Sequence, residues 1–166
     1  MNFLEKDLEQ IIYDAEKELL ADKGLIIEGQ LKRQFKIGNY GIADLIEFKK
    51  PYYCLYFKKC VKGEITIYEL KKEKIGISAF LQSLKYAKGI QTYLQKHKRN
   101  IDFTINIILC GKNVDTSGEF IFIPSLISSF ETFGYINNIN FYTYDYLIDG
   151  INFVDHTEYN LKNKGF

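Results

Sequence analysis

The sequence predicts a single α/β domain spanning residues 1–166, with a mixed central β-sheet flanked by helices. Three observations carry this reading. Two segments place apolar residues at three- and four-residue steps, as amphipathic helices do. Between them lie three or four short segments with strand alternation and turn residues at their ends, and one later run is apolar almost throughout, as in a strand covered on both faces. The 166 residues suffice for one domain with a substantial core. Hydrophobic residues make up 46% and charged residues 26%, with only two prolines, which excludes disordered, collagen-like and low-complexity classes. No apolar run approaches the ~20 residues of a membrane helix. The N-terminus is charged from Glu5 onward, unlike a signal peptide, so the cytoplasm is the expected location.

The first helix is expected from Asn2 to Leu20, where Leu4, Leu8, Ile11, Ile12, Ala15 and Leu19 form the stripe and Gly24 ends it. Residues 25–37 read as extended. The turn-forming Gly38-Asn39-Tyr40-Gly41 leads into a strand from Ile42 to Phe48. A third strand, Tyr52 to Cys60, is separated by a Lys62-Gly63-Glu64 turn from a fourth, Ile65 to Lys71, which makes a meander. The second long helix, Gly76 to Gln95, presents Ile77, Phe80, Leu81, Leu84, Ala87, Ile90 and Leu94. Ile101 to Leu109 is the covered strand. A segment from Phe120 to Phe133, part helical, and a strand pair at Asn140 to Tyr146 and Ile151 to Val154 complete the chain.

Cys54, Cys60 and Cys110 lack the paired spacing of a zinc site and read as buried or half-buried thiols; His97 and His156 have no ligand-type neighbours. Charge is unevenly spread. Residues 1–29 hold three basic and eight acidic side chains, a net −5. Residues 30–100 hold sixteen and five, a net +11, and residues 101–166 hold three and eight, again −5. Such blocks serve either as solvated surface or as a polyanion-binding middle.

Strand alternation places Ile65, Ile67, Glu69 and Lys71 on one face, and Ile42, Asp44 and Ile46 on one face of the preceding core strand. Carboxylates at core-facing positions are costly unless they are paired or bind a cation. If the two strands are neighbours, Asp44 and Glu69 converge. Two carboxylates suit a hard divalent cation, and a lysine two residues on reaches the same place, where it can orient water or offset developing negative charge. The set therefore suits phosphodiester hydrolysis. The plain alternative is an ordinary Glu-Lys pair at a sheet edge.

The segments Gly41-Ile42-Ala43-Asp44-Leu45-Ile46, Ile67-Tyr68-Glu69-Leu70-Lys71-Lys72 and Ala79-Phe80-Leu81-Gln82-Ser83-Leu84-Lys85-Tyr86 resemble the PD-(D/E)xK nuclease superfamily. The likeness is closest to the nuclease domains of NucS/EndoMS-type enzymes and related RecB-like and Holliday-junction-resolvase-like domains, and is specific over residues 28–90. It implies a restriction-endonuclease-like fold and a Mg²⁺-dependent DNA endonuclease, with Mn²⁺ as an alternative metal, acting in repair, restriction or a mobile element. By the same resemblance Asp44 and Glu69 are metal ligands, Lys71 is the catalytic lysine, and Gln82 and Tyr86 line the site from one helix face distinct from the apolar stripe. A first-helix glutamate belongs to the pattern; Glu5 is the first choice and Glu9, one turn on, the alternative.

Three departures stand out. Ala43 replaces the proline of the superfamily's name, Lys49 to Gly63 forms a long insert, and these 166 residues are expected to hold the nuclease domain without the separate N-terminal DNA-binding domain of NucS-type proteins. The insert's aromatics make it a possible homodimer interface. DNA contacts are expected from Lys32, Arg33, Lys58, Lys59, Lys72, Lys85 and Lys88, joined by Lys36, Lys49, Lys50, Lys62 and Lys74. Tyr52, Tyr53 or Tyr56 could stack on an unpaired base. The rival from another class is a catalytically silent nuclease-fold module that binds nucleic acid or a protein; a small-molecule-binding α/β protein finds no phosphate loop or dinucleotide fingerprint.

Overall fold

Alternating apolar residues in three neighbouring strands build a sheet with a core on each face. A computed structural model describes residues 5–54, 60–98, 101–115, 120 and 136–156. Among them a seven-stranded mixed sheet runs in the order β1 (Gln30–Lys36), β2 (Ile42–Phe48), β4 (Cys60–Leu70), β6 (Ile101–Gly111), β8 (Ile136–Leu147) and β9 (Gly150–Asp155), with β3 (Tyr52–Cys54) paired to the start of β4. The inner pairs β4–β6 and β6–β8 are parallel, whereas β1–β2, β2–β4 and β8–β9 are antiparallel. A parallel neighbour requires a crossover, which α3 (Ile77–His97) supplies between β4 and β6. A small parallel pair, β5 (Lys74–Ile75) and β7 (Asn113–Val114), sits beside it.

Ile46, Ile65, Ile67, Ile105 and Ile107 face α3, while Leu45, Tyr68, Leu70 and Ile108 face α1 (Glu5–Asp14) and α2 (Lys17–Asp22). This period-two partition is the one strand geometry dictates.

The expected helix over residues 2–20 is two helices. The chain breaks at Ala15-Glu16, where Glu16 adopts extended φ/ψ of −63° and 141°. A continuous helix would bury Leu19 on the stripe of Leu8 and Ile12. The break buries Leu20 instead and leaves Leu19 half exposed, and Lys17 Nζ donates to the Gly29 carbonyl at 2.6 Å. Gly24 follows with φ +94°; a Cβ there would lie 2.2 Å from the Phe153 carbonyl oxygen.

The expected turn at Lys62-Gly63-Glu64 is absent, because β4 runs through it. Gly63 is a packing glycine: it pairs with Phe103 on β6, and a Cβ would meet that ring at 2.4 Å. The stripe of α3 is rotated as well. Ala79, Ser83, Tyr86 and Gly89 are buried with Phe80, Ala87 and Ile90, whereas Ile77 and Leu81 are exposed. Most of the segment from Phe120 to Phe133, and the insert residues 55–59 with Tyr56, Lys58 and Lys59, lie outside the described residues. Among the described residues no helix is long and apolar enough to cross a membrane. Cys110 is buried, and burial pushes its thiol up to about 12.

Candidate active site

The β2–β4 ladder pairs Phe48 with Ile65, Glu47 with Thr66, Ile46 with Ile67 and Leu45 with Tyr68, and stops there. Continued by one residue, the register would set Asp44 opposite Glu69. Instead the strands part. The Asp44 Oδ2 accepts the Leu70 N–H at 2.9 Å in place of a ladder bond. On the other side of β2, Arg33–Leu45 and Phe35–Ala43 are paired but the intervening Gln34 and Asp44 are not, and Gln34 holds φ +46°. Asp44 thus occupies a gap in the sheet between two neighbours, and a side chain in such a gap can meet a ligand.

Glu69 is 1% exposed. Its Oε1 accepts the Lys71 ammonium at 2.7 Å, while Oε2 is buried with no hydrogen-bond partner. Burial pushes the Glu69 carboxyl up to about 7; Lys71 pulls it back, and the charges of Asp44 and Glu5 add to the rise. Burial also raises Asp44, against the Leu70 N–H and Lys71, with Glu9 and Glu5 adding to it. Burial works against the Lys71 charge, but the hydrogen bond and charge of Glu69 outweigh it and hold the ammonium above its ordinary range. Lys71 lies just beyond β4, where its N–H donates to the Cys110 carbonyl at 2.7 Å and keeps the chain extended alongside β6. An apolar sheet interior thus carries two carboxylates and one cation within mutual electrostatic reach, with one carboxylate oxygen left over.

Gln82 Nε2 donates to the Tyr86 hydroxyl at 2.6 Å, and Tyr86 feels the charges of Glu69, Asp44 and Lys71. The pair therefore faces the site. Tyr86 is not separate from the apolar stripe, however: it is 3% exposed and part of the core, because its ring lies against Gly41, where a Cβ would come within 2.8 Å of Cε1. This packing explains the glycine before Asp44.

The two first-helix glutamates have different partners. Glu9 is buried, takes the Arg33 Nε at 2.6 Å, and also accepts Gln34 Nε2. Glu5 is exposed; its Oε1 accepts the Lys72 N–H at 3.3 Å, and its charge acts on Asp44, Glu69 and Lys71. No set of three or more His, Cys, Asp or Glu side chains is gathered closely enough to hold a metal among the described residues. Two carboxylates nevertheless suffice for Mg²⁺, which keeps several waters and takes further oxygens from a phosphate. The unpartnered Glu69 Oε2 is an anionic oxygen of the kind such a cation takes.

Comparison with family models, curated proteins and solved structures found no match for this chain.

Of the expected DNA contacts, Arg33 is engaged by Glu9 and Gln10 and lies 5.5 Å from the Tyr13 ring. Lys32 sits over the Phe35 and Phe48 rings. Lys72 is held through its backbone, by Glu5 at N–H and by the Tyr144 hydroxyl at its carbonyl, 2.5 Å away. Lys85 and Lys88 are exposed on α3. Two residues of the site, Tyr144 and Gln34, are not evident from the sequence. Tyr144 lies 72 positions from the carbonyl it holds, and Gln34 takes part through an unusual backbone angle and a side-chain bond to Glu9, 25 positions away, so neither leaves a local signal.

Proposed function

We propose that the protein is a Mg²⁺- or Mn²⁺-dependent DNA endonuclease of the PD-(D/E)xK type, with a restriction-endonuclease-like fold. The order helix, three antiparallel strands, crossover helix and parallel strand supports this reading, as do the three motif segments. The observation that carries it is the buried, unpartnered Glu69 Oε2 beside Asp44 at the gap in the sheet. An apolar core has no use for that oxygen: Lys71 offsets the charge at Oε1, but a buried acceptor left without a hydrogen bond still costs about 1–3 kcal/mol.

Asp44 and Glu69 would hold the cation, with Glu5 close enough to add its charge. Bound there, a divalent cation supplies polarisation of a phosphate oxygen and a lowered pKa for water. Lys71 holds a positive charge at Glu69 Oε1, from where its ammonium orients the attacking water or offsets charge on the phosphate. Gln82 and Tyr86 offer an amide and a hydroxyl to the scissile phosphate. Glu9, tied to Arg33 and Gln34, fixes α1 against β1 and is a positioning residue.

The test incubates the purified protein with duplex, mismatched, forked and single-stranded DNAs in Mg²⁺, Mn²⁺ or EDTA. Metal-dependent cleavage of at least one substrate is expected, with none in EDTA. DNA binding without cleavage in either metal would leave the silent binding module as the better reading.

A further inference from the structure

α3 packs mainly against β4, β6 and the 3₁₀ turn Gly38–Tyr40, which, among the described residues, leaves the β1 edge of the same sheet face without a helix above it. The uncovered strip and the C-terminal half of α3 bound a groove of about 610 Å³, within the range of small-ligand sites. Phe35, Tyr40, Phe48 and Tyr93 supply aromatic surface, and none of the groove's lining residues is acidic. Lys36 and Lys96 belong to the lining and are exposed, and Lys32 Nζ stands 6.0 Å and 5.7 Å from the Phe35 and Phe48 ring centres. Gly89, a residue type disfavoured in helix interiors, is needed here: a Cβ would strike the Tyr40 ring at 2.7 Å and Ile37 at 2.6 Å. Tyr40 precedes Gly41, which touches Tyr86, so the groove starts one helical turn beyond Tyr86 and runs away from the candidate site.

We propose that this groove binds unpaired nucleotides of a DNA strand, bases against the aromatic side chains and phosphates against Lys36 and Lys96. The combination selects the occupant. Aromatic walls suit the flat faces of bases, and rim cations on a groove whose lining holds no acidic residue suit phosphates. An aliphatic ligand would leave the cations unmatched, and a duplex keeps its base faces stacked and out of reach. Tyr93 is 56% exposed, with the His97 ring 4.7 Å from its own, and is the side chain best presented to a base. Continuity with the cleavage site rests on the nuclease reading, whereas the binding itself rests only on the groove.

Binding is measured by fluorescence anisotropy on the full chain in EDTA, with labelled oligothymidylate of about 12 nucleotides, a length that spans one single-strand site, and an abasic strand of the same length. The abasic strand, which keeps every phosphate, is expected to bind at least about tenfold more weakly, and Tyr93→Ala to cost roughly 5- to 100-fold on oligothymidylate and nothing on the abasic strand. Lys36→Ala and Lys96→Ala should weaken both strands alike and flatten the salt dependence. Equal affinity for the two strands, or a Tyr93→Ala variant that binds oligothymidylate like the parent, overturns the proposal. So does displacement of the strand by an acidic, aromatic-rich peptide at lower concentration than by unlabelled oligothymidylate. Asp44→Ala separates the two readings: it should keep this binding while losing cleavage. Base-dependent binding without cleavage in any metal leaves the groove standing and removes the nuclease, and cleavage without base dependence does the reverse.

Discussion

Glu69 is held in a place where its charge opposes folding, and that makes it the most informative single residue. Its folded carboxyl titrates at about 7, against about 4.5 for the unfolded chain. Above pH 7 both states are ionised, and the folded state bears the full desolvation cost. As pH falls from 7 towards 4.5, the folded state takes up the proton first and the cost disappears. Glu69→Gln should therefore raise stability in EDTA at pH 8, by on the order of 2–3 kcal/mol, with the gain shrinking towards zero near pH 4.5; thermal melts at pH 5 and pH 8 measure it. Added Mg²⁺ should stabilise the parent protein at pH 8 and leave the variant unmoved. A variant no more stable than the parent at pH 8 would mean that the buried oxygen finds a partner in solution.

Lys71 and Asp44 give a second prediction at the same scale. Lys71→Ala should lower cleavage by about a hundredfold or more with DNA affinity nearly intact. Asp44→Ala should lose cleavage and, by calorimetry, Mn²⁺ binding as well. Full cleavage in either variant would reduce the motif to coincidence.

The glycines show how the elements are held around the site. Gly38 and Gly41 flank one turn, both with positive φ, yet only Gly41 has Tyr86 against it; nothing lies within 4 Å of a Cβ at Gly38. Gly38→Ala should cost only backbone strain, about 1 kcal/mol. Gly41→Ala should cost more than twice that and also reduce cleavage, since either the Tyr86 ring or the start of β2 must move. Equal chemical-denaturation midpoints for the two variants would refute the packing role. Gly63 carries a similar lesson: a glycine with charged neighbours reads as a turn, but here it makes room for Phe103 across the parallel β4–β6 pair. The misplaced stripe of α3 has the same kind of cause. Ile77 and Leu81 fit a helical period, but the buried side of the helix carries Ala79, Ser83 and Gly89, small residues that permit close approach, at Gly89 by Ile37 and by Tyr40 of the 3₁₀ turn. Periodicity reports that a helix has an apolar face. It does not report which small residues share it.

Across the whole molecule, the sharp division of charge along the chain is partly cancelled in space. Acidic residues of the flanking segments pair with cations of the middle one: Glu9 with Arg33, Glu28 with Lys49 and Asp115 with Lys74. Lys49 has Glu64 as well, at 3.0 Å, and these carboxylates hold its ammonium well above the ordinary lysine range. The phosphate-binding surface is consequently smaller than the +11 of residues 30–100 implies. Lys49→Ala and Lys74→Ala should leave DNA affinity and its salt dependence almost unchanged. Lys85→Ala and Lys88→Ala, on the exposed face of α3, should flatten the log–log salt slope by about 0.9 for each phosphate that is no longer neutralised. The reverse pattern would move the DNA path away from α3, towards Lys49 and Lys74.

What was legible in the chain was local. The phases of Asp44 and Glu69 follow from the period-two geometry of any strand, and the β2 strand, the long helix α3 and the closing strand pair follow from hydrophobic pattern and turn chemistry, whereas the turn expected at Lys62-Gly63-Glu64 does not, because β4 runs through it. These features depend on residues a few positions apart, so a linear reading reaches them. The gap between β2 and its neighbours, the capture of Glu9 by Arg33 and Gln34, the burial of Tyr86 over Gly41 and the unpartnered oxygen of Glu69 depend on groups far apart in the chain or on which strands are adjacent. Such pairings form only when the whole sheet is assembled, because each alone gains too little to offset the entropy of closing the loop between its partners. Motif residues could therefore be nominated from their order, whereas the assignment of each carboxylate to a structural partner or to an open position belonged to the folded molecule.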